Sequence, residues 1–338
     1  MQDGEQMTEA TAADTAEVPT WLLVTHDRPD TDALACLWFA VRFIVGDEYQ
    51  YDIHTVRAGE RLTPEEEANY YRVLYMDTGG GDADQHGKKL KNSSSFKLLV
   101  ESSQPSVDPA LLPIIDLTVA VDNVYEVGPT SIHQALLGLS HHFWDPETKV
   151  PDCAQVTSYA FITFDILYNR EKGRLKSESD FDRFGKLIKL PNGIMVGDVG
   201  FRPRLRDAAF ARGADVVVWM NPAGEKKFHP GIQVHRKHMH QDKPALTLWS
   251  VLEDLRRAEG KARSVDVRRL SLRDMQPLCV NGVKVLGAWF GHDSGGLVAC
   301  GTKTHVPTDD ERTRLSPGRI LNIVTERLGL LSPITKTE

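Results

Sequence analysis

Apolar and polar positions in the first third of the chain alternate between the periods of strands and helices. The run "TWLLVTH" (Thr20–His26) is apolar and then meets a polar cluster, which is typical of a buried parallel strand. The next segment, "DTDALACLWFAVRFIVG", opens with capping residues, is apolar on all sides and ends at Gly46, so it predicts a buried helix. Two further strands are predicted by "YQYDIHTVRA" and "YYRVLYMDTGGG". This order indicates a doubly wound α/β sheet, in which active sites form at the carboxyl ends of strands.

Later segments divide the chain into domains. Helix-period spacing continues over residues 93–169, and the charged segment "EKGRLKSESDFDRFGKL" then indicates a boundary. Beyond it, strand-like runs such as "ADVVVWMNP" alternate with helix-like runs such as "LTLWSVLEDLRRAEG". We therefore predict an N-terminal domain over 19–175 with a mostly parallel sheet flanked by helices. A linker over 176–190 and a smaller C-terminal α/β domain over 191–332 follow it.

Composition and charge narrow the class of protein. The chain has 338 residues, 41% of them hydrophobic and 26% charged, which suits a globular protein of two domains. Its net charge of −7 argues against a protein that binds nucleic acid over most of its surface. The four cysteines are far apart, so they predict reduced thiols in a cytoplasmic protein. Residues 1–18 are acidic and predict a disordered tail, and no apolar run is long enough to cross a membrane.

Acidic residues cluster where strands end. His26, Asp30 and Asp32 follow the first strand, Asp77 follows a later one, and Asp122 lies in a helical segment. A single aspartate at such a position is more often a helix cap or a solvated side chain, and Asp27 is best read in that way. Taken jointly, histidine and aspartates without thiolates favour Mn²⁺ or Mg²⁺ over a structural zinc. Two such cations sharing an aspartate would support hydrolysis of a phosphoryl group.

The motifs resemble those of the DHH phosphoesterase superfamily, and most closely its Myg-type (melanocyte proliferating gene family) nuclease branch. The resemblance rests on four segments in order, with a fifth near the C-terminus: "THDRPDTDALAC", "YMDTGG", "DQHGKKLKNSSSF", "DLTVAVDN" and "GHDSGGLVACGTKT". It covers about residues 20–331, with a weaker match in the middle. The spacing of the first motif follows the general superfamily more closely than the Myg branch.

The resemblance implies a two-metal centre and assigns its ligands. His26 and Asp30 would hold one Mn²⁺, Asp32 and Asp122 the other, and Asp77 would bridge them. Mg²⁺ is the alternative metal.

One position departs from the superfamily pattern. The Asp-His-His triplet reads Asp84-Gln85-His86 in this chain, so Gln85 replaces a histidine expected to ligate the second metal. We expect His86 to act beside Asp77 in catalysis and in substrate binding, and activity to be retained because the other acidic positions are intact.

The C-terminal domain supplies further candidates for substrate binding. The segment "GHDSGGLVACGTKT" places His292, Gly295, Gly296 and Lys303 near one another, which suits an anion site, although a tight hairpin turn explains the spacing equally well. Arg236 is the candidate for a phosphate contact in "GIQVHRKHMHQDK", a run that is more often a solvated strand edge.

These observations predict a metal-dependent phosphodiesterase or exonuclease that acts on RNA, DNA or short oligonucleotides. The alternatives are a small-nucleotide phosphatase or pyrophosphatase, and a catalytically silent nucleotide- or RNA-binding protein, which Gln85 would favour. A nucleic acid or nucleotide is the expected partner and a membrane is not. The sequence leaves the oligomeric state open, with a homodimer as one option.

Overall fold

The computed structural model of the protein describes residues 18–81, 84, 92–123, 128–223, 227–239, 246–268, 270–271, 289–301 and 307–332. The chain divides into two compact units, unit 1 (Met1–Lys172) and unit 2 (Gly173–Glu338). Within the described residues, every helix is too short or too polar to cross a membrane.

Unit 1 is built on a three-stranded parallel sheet. Its strands are β1 (Thr20–His26), β2 (Gln50–Val56) and β3 (Arg72–Tyr75), in the order β2-β1-β3. All three were predicted as strands from the sequence, and the middle strand is the most apolar because both of its faces are buried, with Trp21 and Leu23 in one apolar cluster and Leu22 and Val24 in another. All three carboxyl ends lie at the same edge of the sheet, as parallel pairing requires.

Helices follow the strands in unit 1, and two of them contain the last residues of the third sequence motif and most of the fourth. They are α1 (Thr31–Phe39), α2 (Pro64–Glu67), α3 (Ser95–Ser103), α4 (Leu112–Asp122), α5 (Ile132–His142) and α6 (Cys153–Phe184). The helix α1 continues into a π-helical segment, Ala40–Val45, and ends at Gly46, which has φ of +79°. Every residue of α1 is buried, which explains why its sequence is apolar on all sides.

The predicted linker has regular structure. The helix α6 runs through the boundary between the units, and strand β4 (Lys186–Lys189) follows it, so residues 176–190 lie largely in helix and strand. The charged composition of this segment reflects a helix whose residues beyond Arg170 are mostly exposed or half-buried. Polar composition alone does not distinguish such a helix from a linker.

Unit 2 contains a six-stranded mixed sheet. It comprises β4, β5 (Met195–Asp198), β6 (Val216–Pro222), β7 (Phe228–Val234), β8 (Trp289–Gly291) and β9 (Leu297–Cys300), in the order β4-β5-β6-β7-β9-β8. Strands β5 and β6 are parallel and the other described pairs are antiparallel. The helices of this unit are α7 (Arg206–Ala211), α8 (Trp249–Ala262) and α9 (Pro317–Gly329). The predicted α/β class is therefore confirmed, with a parallel sheet in unit 1 and a mixed sheet in unit 2.

A buried carboxylate on α8 joins separate parts of unit 2. Glu259 is completely buried and accepts hydrogen bonds from Arg263 Nε at 2.7 Å, the Arg314 backbone N–H at 2.8 Å, and Thr313 Oγ1 at 2.7 Å. It also accepts one from Trp289 Nε1 at 3.3 Å. Because all of these donors lose their partner together if the carboxylate is removed, Glu259 holds the 313–314 segment and β8 against α8.

We predict that Glu259→Ala lowers the free energy of unfolding by about 3–5 kcal/mol, because it leaves buried donors and the Arg263 charge unpaired. Urea-induced unfolding of the full chain measures this value. Glu253→Ala is the matched control, since Glu253 pairs with Arg257 on the same helix at the same spacing but is 40% exposed. It should cost about 1 kcal/mol or less. Equal losses for the two variants would contradict the role given to Glu259.

Candidate metal centre

The carboxyl ends of β1 and β3 form the crevice in which the acidic motifs meet. Strand β1 ends at His26, and the chain leaves it to reach β2 on one side of the sheet. Strand β3 lies on the other side, and the Met76 N–H donates to Val24 O at 2.9 Å, which extends the pairing as far as Asp77. The carboxyl ends of β1 and β3 therefore lie side by side at one edge of the sheet, which is where open α/β sheets bind their ligands.

Three side chains converge in this crevice. His26, Asp30 and Asp77 each offer one ligand atom, and these atoms all lie within 4.8 Å of one another. His26 Nε2 is 3.4 Å from Asp77 Oδ2. One imidazole nitrogen and two carboxylates at this spacing can hold a divalent cation. The structure thus brings together three of the five residues predicted as metal ligands.

Asp30 has a second, structural role. It is the N-cap of α1, and its Oδ1 accepts from the backbone N–H groups of Asp32 at 2.9 Å and Ala33 at 3.1 Å. The capping interpretation considered for this residue is thus confirmed. Capping does not compete with metal binding, because a carboxylate has two oxygens and each can accept more than one bond.

Asp32 points to a different helix. It is fully buried, and its two oxygens accept from the backbone N–H groups of Ser95 at 2.7 Å and Phe96 at 3.0 Å, in the first turn of α3. The free N–H groups and the dipole at a helix start favour a negative charge there. Asp32 therefore does not cap α1, as the sequence allowed, but binds the start of α3, and so fixes two helices of the site to each other.

Asp122 completes a second acidic pair. It is the last residue of α4, and its carboxyl group is hydrogen-bonded to that of Asp32. Burial, and then the charges of Asp122 and Asp77, raise the pKa of Asp32 well above its usual range. A carboxylate at a helix C-terminus is also opposed by the helix dipole. Such a pair needs either a shared proton or a cation between the two groups.

The position of Asp122 is set by the residue after it. Asn123 Nδ2 donates to Ser93 O at 3.0 Å and to Val119 O at 2.7 Å, and Asn123 Oδ1 accepts from the Asn92 N–H at 3.2 Å. These bonds tie the end of α4 to the segment just before α3. The "DN" of the fourth motif thus supplies one candidate ligand and one residue that holds that ligand in place.

Asp77 is held in an unusual backbone conformation. Its φ is +53°, in the left-handed region that non-glycine residues seldom adopt, and its side chain is 5% exposed. Ser95 Oγ donates to Asp77 Oδ1 at 2.9 Å, while the Ser95 backbone N–H binds Asp32. Strain of this kind persists where surrounding contacts fix the residue, and it is concentrated at functional sites.

Sequence reasoning missed Ser95, which contacts both Asp77 and Asp32. The run "SSSF" was read as the end of the third motif and as the start of a helical segment, and no role was given to Ser95. Serines before a helix are common caps, and Ser94 has that role here, so the pattern alone could not reveal the second serine's contacts.

The balance of charge in the crevice is negative. Burial by itself lowers the pKa of His26, but hydrogen bonding to Asp77 and the charges of the nearby carboxylates outweigh it, so the pKa is raised. Burial and the charge of Asp77 also raise the pKa of Asp30. Both shifts show that the crevice attracts positive charge, which a proton or a metal cation can supply.

The third motif lies only partly within the described residues. Asp84 is 3% exposed, and its Oδ2 accepts from the Gly80 N–H at 2.8 Å, so it fixes the glycine turn after Asp77. Gln85 and His86 lie outside the described residues, as does Lys303. The catalytic and substrate-binding roles assigned to His86, and the role assigned to Lys303, stay predictions.

The glycine-rich segment of unit 2 forms a turn between β8 and β9. Its His292 N–H donates to Leu297 O at 2.9 Å, and His292 Nδ1 lies 2.9 Å from Ser294 Oγ. Gly295 has φ of +70°, and a Cβ on Gly296 would lie 2.8 Å from the Met239 methyl carbon. The hairpin-turn interpretation therefore accounts for both glycines, and substrate binding by His292, Gly295 and Gly296 stays a prediction.

The histidine-rich run of unit 2 is organised around Asp215. Asp215 Oδ1 contacts His238 Nε2 at 2.7 Å and Lys237 Nζ at 2.9 Å. Burial opposes ionisation of Asp215, but Lys237, the Met195 N–H and His238 together lower its pKa. Arg236 lies in the adjacent 3₁₀ turn and is exposed, so its predicted phosphate contact is neither supported nor opposed by this cluster.

No protein-family model matches the chain, and no curated protein matches it. The chemistry of the crevice must therefore be judged from its own residues. An imidazole and four aspartates, without thiolates, form a hard ligand set that suits Mn²⁺ or Mg²⁺.

We predict that Mn²⁺ at about 100 times its Kd stabilises the protein by about 2.7 kcal/mol and raises Tm by roughly 5–10 °C. Asp77→Asn should abolish the rise, because it removes a charged ligand while asparagine tolerates the left-handed backbone. Thermal unfolding with Mn²⁺ and with EDTA measures both. The control is Asp52→Asn, which alters an exposed carboxylate on β2 and should keep the full rise. A full rise in Asp77→Asn would rule out Asp77 as a ligand.

We also predict that Asp122→Asn stabilises the metal-free protein, by on the order of 1 kcal/mol, because it removes repulsion from Asp32. The same change should weaken stabilisation by Mn²⁺. Urea unfolding in EDTA gives the first value. Asp116→Asn, at an exposed position of the same helix, should change neither quantity. A loss of stability in metal-free Asp122→Asn would mean that the acid pair is not repulsive.

Proposed function

We propose that unit 1 is a DHH-like phosphohydrolase that uses two divalent cations, Mn²⁺ or Mg²⁺, to hydrolyse phosphodiester bonds of RNA, DNA or short oligonucleotides. The observation that carries the proposal is the meeting of His26, Asp30 and Asp77 at the carboxyl ends of the parallel strands, with the Asp32–Asp122 pair beside them. These are the five positions that the family resemblance assigns to metals.

The ligand groups divide as the proposal requires. His26 and Asp30 belong to the β1–α1 connection and would hold one cation, while Asp32 and Asp122 would hold the other. Asp77 is close to both groups, since it contacts His26 directly and its charge acts on Asp32. When bound, the cations would supply Lewis-acid chemistry, by lowering the pKa of water and neutralising charge on phosphoryl oxygens.

The protein's own contribution is to keep these groups in place. Ser95 fixes one oxygen of Asp77, and the start of α3 fixes both oxygens of Asp32. Rigid ligands of this kind reduce the reorganisation needed when charge develops on the substrate. The net reaction consumes one water, breaks one P–O ester bond, and yields a phosphomonoester and an alcohol.

We expect the wild-type protein with Mn²⁺ to shorten an end-labelled single-stranded oligonucleotide. Asp77→Asn should reduce the rate at least about 100-fold, since even residues that only orient metal ligands contribute 10- to 100-fold. Asp52→Asn should retain the wild-type rate. Gel analysis of the labelled products, with an assay for inorganic phosphate, measures the outcome.

The products distinguish the alternatives. Release of inorganic phosphate without shortening would favour a phosphatase or pyrophosphatase. Binding of the oligonucleotide without any product would favour the silent nucleotide-binding protein. Hydrolysis that persists in Asp77→Asn would overturn the two-metal proposal.

A further inference from the structure

An exposed arginine and an exposed tryptophan lie against each other beside the candidate metal centre. The Arg28 guanidinium carbon is 5.2 Å from the centroid of the Trp144 ring, which is a cation–π contact. The Trp144 ring is 41% exposed, and Arg28 is exposed as well. We call these two residues the Arg28–Trp144 platform.

Arg28 lies on the connection from β1 to α1, between two of the candidate metal ligands in sequence. Arg28 is two residues from His26 and two from Asp30, so its Cα lies within about 7 Å of theirs. It is the only cation among residues 26–32, which also include three aspartates. A polyanionic substrate that approaches these carboxylates needs positive charge at the rim, and Arg28 is placed to supply it.

Within the described residues, no ion pair joins the Arg28 guanidinium to a carboxylate. Within the described part of the chain its recorded contacts are the Trp144 ring and a long hydrogen bond, 3.4 Å, to Lys149 O. Neither Asp27 nor Asp30 forms an ion pair with it there. The guanidinium therefore keeps donors that no carboxylate of the described residues uses.

The segment that carries Trp144 is itself tightly held. The Asp145 N–H donates to Val150 O at 3.0 Å and the Lys149 N–H to Asp145 O at 2.9 Å, while Trp144 pairs with Pro151 as an isolated bridge. Lys149 has φ of +61°. The carbonyl that accepts from Arg28 therefore belongs to a residue in a strained conformation, which is frequent at functional sites.

An aromatic stack supports the platform from the other side. Phe143, next to Trp144, stacks on Tyr159 of α6 with ring centroids 5.5 Å apart. The Asp152 N–H also donates to Phe143 O at 2.8 Å. These contacts fix the chain at Trp144 while leaving its indole exposed, which is the arrangement that proteins use to stack a base.

We infer that the Arg28–Trp144 platform binds the nucleotide next to the scissile bond, with the base stacked on Trp144 and its phosphate on Arg28. The inference rests on the proposed function and deepens it, because it names a substrate that carries a base and is favoured over one without it. The planar guanidinium of Arg28 suits both contacts. It can stack on the Trp144 ring, and it can bind two oxygens of one phosphate at the same time.

The test compares two end-labelled oligonucleotides that differ only in the base of the terminal nucleotide, which is adenine in one and absent in the other. For wild-type protein with Mn²⁺ we expect kcat/KM to be about tenfold higher with the base, the size of one base–aromatic stack. In Trp144→Ala this ratio should fall to about one, and Trp144→Phe should restore most of it. Arg28→Lys, which keeps the charge but loses the planar group, should raise KM more than it lowers kcat.

A matched control guards against a general effect of losing an aromatic side chain. Tyr51 is also 41% exposed, but it lies near the amino end of β2, at the opposite end of the sheet from the centre. Tyr51→Ala should keep the wild-type ratio. A Mn²⁺-dependent rise in Tm shows that each variant is folded and binds metal.

The outcomes separate this inference from the proposed function. A tenfold ratio that persists in Trp144→Ala overturns the platform, while hydrolysis that depends on Asp77 still supports the phosphodiesterase. If wild-type protein hydrolyses neither strand, the phosphodiesterase is overturned, and fluorescence anisotropy with the same strands decides the platform. Tighter binding of the base-bearing strand that is lost in Trp144→Ala supports it, and equal binding of the two strands overturns it.

Discussion

Repulsion among buried carboxylates is the constraint on which the organisation of unit 1 depends. Asp32 and Asp77 are almost completely buried, and Asp122 lies close enough to bond to Asp32. Such groups remain charged only if donors and cations compensate for lost hydration. The start of α3 provides donors for Asp32, and the remaining deficit of positive charge is a physical reason for a metal at this edge of the sheet.

The scaffold meets this constraint by linking elements that are distant in sequence. The β1–α1 connection provides His26 and Asp30, β3 leads into Asp77, and α3 and α4 contribute Ser95 and Asp122. Each contact joins two elements, so the metal ligands are also part of what holds the helices on the sheet. Residues with both roles are costly for stability when the metal is absent, which is the usual compromise between stability and function at active sites.

Most secondary structure was predictable because hydrophobic period and burial agree over long segments. The strand ending at His26 and the buried helix after it occur as the pattern indicated. The continuous α6 was harder to predict, because its charged second half has no apolar stripe and resembles a linker. The short strand at Lys186–Lys189 was missed because it has four residues and two of them are lysine.

The sequence by itself determined which acids follow which strands, and parallel pairing then requires their ends to meet at one edge. It could not determine what each acid contacts, since Asp30 and Asp32 are two residues apart and both suited the cap of α1. The tertiary structure decided that Asp30 caps this helix while Asp32 binds the start of α3. It also brought Trp144 onto Arg28 across more than a hundred residues of chain. A local sequence pattern reflects the spacing of apolar residues and the residues that can cap a helix. Contacts between distant segments depend instead on how whole helices and strands pack together.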